Sequence, residues 1–68
     1  MPNSVYRKIE VVGSSPNSIS DAITNALDMA AADAKQGWFE VTEIRGHVSD
    51  GKVSAYQVSM KIGLKIEP

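Results

Sequence analysis

Trp38 and Gln57 are the side chains whose chemistry folding alone explains least. Trp38 is the only Trp of the chain, and it adjoins the only Phe, Phe39. In an extended strand, neighbouring side chains point to opposite faces of the sheet. One of these rings can enter a core. The other must sit on the opposite face, where a large apolar ring usually needs a partner. An indole so placed either packs an oligomer interface or serves as a stacking plate for a planar ligand. Gln57 adds an amide with both an acceptor oxygen and donor N–H groups. That pair matches the alternating edge of a pyrimidine-like ring, such as the one in isoalloxazine; a solvated strand residue is the alternative. Arg45 and His47 offer a phosphate contact or a ring to stack on. By simple alternation they point away from Trp38, and Gly46 between them is where a bulge would re-aim either one. An ordinary surface or interface histidine is the alternative for His47.

No catalytic constellation surrounds these residues. The chain has no Cys nucleophile, and Ser14 and Ser15 fall in a turn whose hydrogen bonds need them. Asp21, Asp28 and Asp33 have helix-surface spacing and read as solvation. Gly13-Ser14-Ser15-Pro16 precedes a helix and could accept an anion, but no Gly-rich phosphate fingerprint follows. The balance is against an enzyme. No Cys means no disulfide and no thiolate metal site, and one His excludes a multi-histidine site within one chain. No metal site is assigned. The formal charge is −1, from seven basic and eight acidic residues. With no basic run, the electrostatic footprint of a nucleic-acid partner is missing. No apolar stretch has the length to span a bilayer, and the N-terminus lacks a signal-peptide layout, so a soluble cytoplasmic protein is expected.

The elements that must position these residues follow from periodicity. Sixty-eight residues predict one small domain, residues 1–68, whose single core gives a thin margin of stability. Self-assembly is the remaining support. Val5 to Val12 reads as a strand, with Val5, Ile9 and Val11 on one face and Tyr6, Lys8, Glu10 and Val12 on the other. Gly13 to Asn17 reads as a turn. Ser18 and Asp21 form a capping box for a helix, with Ser15 before Pro16 as an alternative cap. Ile19, Ala22, Ile23, Ala26, Leu27, Ala30 and Ala34 make one helical stripe, and Gly37 is placed to follow the helix end. A second strand spans Trp38 to about Val48. Ser49-Asp50-Gly51-Lys52 is a hairpin turn. The third strand, Val53 to Ile66, has a clean apolar face of Tyr56, Val58, Met60, Ile62, Leu64 and Ile66, which predicts a central position.

The order β-α-β-β predicts an α+β fold with parallel outer strands and the third strand antiparallel between them, order 1-3-2. The helix covers the apolar face, with Phe39 beneath it. The other face is bare but not polar: Trp38, Ile44, Val48, Val53 and Ala55 are expected on it. Such a face on a small domain argues for a partner or ligand.

Val11-Val12-Gly13-Ser14-Ser15-Pro16, Trp38-Phe39-Glu40-Val41, Arg45-Gly46-His47, Asp50-Gly51 and Tyr56-Gln57-Val58 together resemble the dodecins in order and spacing. The resemblance extends from about Val5 to Glu67. It implies a sheet wrapped on one helix, with twelve subunits forming a hollow homododecamer. It implies a flavin-binding storage or buffering protein, in which two flavins stack at a two-fold axis between tryptophans of symmetry-related subunits. Carried over, Trp38 is the stacking ring and Gln57 binds the polar edge of the isoalloxazine. Arg45 matches the arginine of bacterial-type members and, with His47, is a further flavin contact; it tilts the choice from riboflavin toward FMN. Some bacterial members also bind coenzyme A, for which Tyr6, Asp28, Lys35 and Lys65 are loose matches. Lys65 stands where many members carry Arg. The competing readings are a structural homo-oligomeric module without ligand and a flavin-delivery partner of an enzyme.

Overall fold

The structure, a computed structural model, describes residues 4–30 and 35–66. Four elements follow in the order β1 (Val5–Ser15), α1 (Ile19–Ala30), β2 (Gln36–Ser49) and β3 (Lys52–Ile66). The sheet order is β1-β3-β2, and both outer strands run antiparallel to β3. The most apolar strand is therefore the middle one, as its uniform face predicts.

β1 does not stop at Val12. It continues through Gly13 and Ser14 to Ser15, which lies opposite Tyr56. Turn-forming residues extend the strand here because each has another task. A Cβ at Gly13 would strike the carbonyl oxygen of Ala22 and lie 2.9 Å from Ala26 Cβ. The missing side chain lets the helix backbone settle directly on β1. Ser15, almost fully buried, organises the helix start. Its hydroxyl donates to Asp21 Oδ2 at 2.7 Å and accepts from the Asn17 N–H at 2.9 Å. Ser18 is the cap, its Oγ accepting from the Asp21 N–H at 3.0 Å. The Asp21 carboxylate thus reaches Ser15 rather than turning back to Ser18 as a capping box would.

The core is small. Ala22 and Ala26 of α1 meet Val58, Met60, Ile62 and Leu64 of β3, with Ile9, Val11, Ile23 and Leu27 packed around them. The described helix ends at Ala30, and Ala34 of the expected stripe lies outside the described residues. Gln36 and Gly37 belong to β2, not to a helix end. The Gln36 side chain ties the two elements, donating to the Leu27 carbonyl at 2.7 Å.

Among the described residues α1 packs on β1 and β3, and its tie to β2 is the Gln36 bond at the very start of that strand. Every residue of β2 is exposed. Phe39 shows the consequence. It lies opposite Ile62, on the helix side, yet remains 46% exposed, so the expectation that it sits under the helix fails. The helix is one strand too far away. The subunit measures 54 × 20 × 15 Å, with a radius of gyration of 14.1 Å. A compact chain of this length would have about 11 Å. The β2–β3 hairpin, closed at Asp50-Gly51 with φ of 52° and 76°, accounts for the elongation.

Candidate functional site

Directly opposed residues of an antiparallel pair share a face. Trp38 lies opposite Gly63, and Gln57 lies opposite both Ser14 and Arg45. Trp38 and Gln57 therefore share the face away from the helix. Lys8, Glu10, Lys61 and Glu40 occupy the same face between them.

Arg45 and His47 are on this face too, which corrects the alternation argument. Val41 pairs with Met60 and Glu43 with Ser59, so Thr42 is an extra residue on β2. A bulge of this kind inverts the side-chain phase of everything after it. The Thr42 hydroxyl donates to the Ser59 carbonyl at 3.2 Å and secures the irregularity. Beyond it Arg45 lies opposite Gln57 and His47 opposite Ala55. Gly46, the expected bulge, is instead in register with Tyr56. The same inversion moves Ile44 to the helix side, opposite Val58; it does not face outward with Trp38. At the hairpin end, Ser54 is a further extra residue, its hydroxyl bonded to the His47 carbonyl at 3.2 Å. Val48 and Val53 pair there, both exposed, on the side opposite Trp38 and not with it on the bare face.

Trp38 rests on the middle strand. A Cβ at Gly63 would strike Cε2 of its ring, with Cζ2 and Cδ2 only 2.5 and 2.7 Å away. Three adjacent ring atoms that close place the point above the ring plane, not at its edge. One face of the indole is thus seated on the Gly63 backbone and the other is open. Tyr6 of β1 flanks it, with ring centroids 5.7 Å apart and planes tilted by 52°. The outer strands are about 9.5 Å apart, so these rings meet only because Gly63 places no side chain between them. Arg45 is held by Glu43, whose Oε1 accepts from the guanidinium at 2.9 Å.

The four residues share a face but not a place. Gln57 precedes Gly63 by six positions along β3, a distance of about 20 Å at ~3.4 Å per residue. Arg45 sits beside Gln57. Within one chain the face therefore has an aromatic end (Tyr6, Trp38) and a polar end (Gln57, Arg45, His47). No single fused-ring ligand spans both. The coenzyme A matches are divided as well: Tyr6 and Lys65 are opposed on the bare face, while Asp28 lies on the helix, behind the sheet. Among the described residues no group of three acidic, His or Cys side chains is placed to hold a metal ion. No helix there is long and apolar enough to cross a membrane. Sequence reasoning missed Gly63 and the Gly37 and Thr42 bulges; a Gly inside an otherwise apolar strand is the one signal that pointed to a close approach.

The fold and the site define a β-α-β-β subunit that carries an exposed, one-sided aromatic plate. The dodecin family model matches residues 5–67, and the chain belongs to that family. A dodecin of Thermus thermophilus is 41% identical over 64 residues, covering 93% of each chain. Among solved structures, a dodecin from Streptomyces coelicolor is 43% identical with a TM-score of 0.87, covering 100% of this chain and 99% of that one. A dodecin from Streptomyces davaonensis is 37% identical with the same TM-score of 0.87, covering 98% and 100%.

Proposed function

We propose that this protein binds and stores flavin, FMN in preference to riboflavin, within a homododecamer. The observation that carries the reading is the indole of Trp38. One of its faces rests on Gly63, and its open face invites a flat ring. Stacking buries apolar surface, which supplies the affinity. Because Trp38 and Gln57 lie about 20 Å apart in one chain, a flavin on Trp38 takes its polar-edge contact from Gln57 of another copy. Arg45 and His47, at the same end as Gln57, are the contacts for the rest of the ligand. A second Trp38 across a two-fold axis closes the sandwich over two flavins. Such a stack leaves little room for a substrate, consistent with buffering rather than turnover. An indole against an excited flavin also quenches it by electron donation.

Titration of FMN into the purified protein tests this reading. Flavin fluorescence falls on binding in the wild type and stays high with Trp38→Ala. Unchanged fluorescence in the wild type, or an equal fall in both, refutes it. The second reading, an assembly module without ligand, is favoured by one observation: the helix side of β2 exposes Phe39, Val41 and Ile44 whether or not a ligand binds. It predicts assembled but colourless preparations with no flavin response.

A further inference from the structure

We propose that Gly63 and Tyr6 are the positioning residues of the Trp38 plate, and that the pair makes it one-sided and fixes its plane. This rests on the flavin reading above and adds to it the residues that orient the ring.

Two glycines and two aromatics make up the device. Gly63 is buried in the middle strand, and any side chain there would have to pass through the indole. Gly37 is the extra residue where β2 steps from Gln36, opposite Leu64, to Trp38, opposite Gly63. A Cβ at Gly37 would lie 2.6 Å from Tyr6 Cε2 and 3.4 Å from Cδ2 and Cζ. Each glycine therefore seats one ring: Gly63 the indole, Gly37 the phenol. The seated rings then meet each other, tilted by 52°.

This contact does more than fill space. An indole on an edge strand has no neighbour beyond it, so its plane is otherwise set only by its own two side-chain torsions. Tyr6 blocks rotation on one flank and the Gly63 backbone blocks it from below. The open face is left as the one surface onto which a planar ligand can stack. Pre-orientation of this kind raises affinity because the ring loses little freedom on binding.

The test exploits the single Trp of the chain, whose near-UV circular dichroism and fluorescence anisotropy report one ring. Wild type, Tyr6→Leu, Tyr6→Phe and Gly63→Ala are compared as assembled apoproteins, with assembly confirmed by native mass spectrometry. Tyr6→Leu is expected to lose indole dichroism and anisotropy, and Tyr6→Phe to restore both. FMN affinity follows the same order, about two- to tenfold weaker for Tyr6→Leu, the range of an aromatic pair. Gly63→Ala, which unseats the ring, weakens binding by more than about tenfold. Should Tyr6→Leu fail to assemble, Gly63→Ala carries the same measurement alone. A Tyr6→Leu or Gly63→Ala assembly with wild-type indole signals and wild-type FMN affinity overturns the proposal. The apoprotein signals need no ligand, so a wild type that ignores FMN counts against the flavin reading alone.

Discussion

β1 and β2 flank the same central strand, yet one is finished by its own chain and the other is not. β1 has α1 laid across it, with Gly13 beneath Ala22 and Ala26 to allow close approach. β2 has no helix laid across it: Phe39, Val41 and Ile44 are exposed toward the helix side, and Trp38 on the reverse. Their compositions do not announce this difference. Both strands mix apolar and charged residues, and both oppose the buried row Val58, Met60, Ile62 of β3. What separates them is the reach of a single helix, which covers two strands and not three. The apolar residues of β2 are therefore surfaces for something outside the chain. In the function proposed above, the helix side takes another copy and the Trp38 side a ligand shared between copies.

Ways to break this contrast follow in order of expected size. The largest effect belongs to the finished half: Ile62→Ala empties the core and is expected to cost about 2–5 kcal/mol. For a chain this small that removes much of the total stability, and urea unfolding followed by far-UV dichroism measures it. Phe39→Ser comes next. It is expected to dissociate the assembly at micromolar concentration while leaving the intrachain core contacts untouched; light scattering after size exclusion reads the mass, and an undiminished oligomer would show that β2 is not an interface. Ser15→Ala removes the hydroxyl that links Asn17 and Asp21, at a cost of about 1–2 kcal/mol, seen as a lower thermal midpoint with assembly retained. Smallest is Glu43→Gln. The exposed ion pair with Arg45 contributes under about 1 kcal/mol, so stability should hardly move, whereas release of Arg45 should change FMN affinity at low salt if the guanidinium meets the phosphate. An affinity independent of both the substitution and the salt would remove Arg45 from the site.

The contrast also explains what could be read in advance. The four elements, the 1-3-2 order and the Asp50-Gly51 turn were legible because each has a local cause: alternation, a helical stripe, a cap, a turn dipeptide. The faces of β1, and of β3 from Ala55 onward, were legible for the same reason, whereas Val53 lies beyond the extra Ser54 and falls on the other side. Those of β2 were legible only up to Val41. Alternation counts residues, and the extra residue at Thr42 is a property of pairing with β3 that no local pattern records. Arg45, His47, Ile44 and Val48 were consequently assigned to the wrong sides. Phe39 was misplaced for another reason: its face was right, but the extent of the helix across the sheet is a tertiary quantity. Trp38 and Gln57 were correctly placed on one face, yet their separation of about 20 Å emerged only from the register. The functional reading came from the family motifs, and the one-sided seating of the indole came from the structure.

The residue at 42 has a final implication for how such a face is inherited. Removing a single codon there would set Val41 beside Glu43 and make this stretch of β2 alternate regularly, while Ile44, Arg45 and His47 keep their partners on β3 and their sides of the sheet. The side on which Arg45 and His47 stand is thus set by their pairing with β3 and survives a change of one residue in the count. Exchange of Thr42 for a residue without a hydroxyl gives up the bond to the Ser59 carbonyl, and its deletion gives up the bulge itself, yet neither exchanges the two surfaces. A relative that lacks the extra residue would present the arginine to the same side of the sheet, from a strand without the local bend.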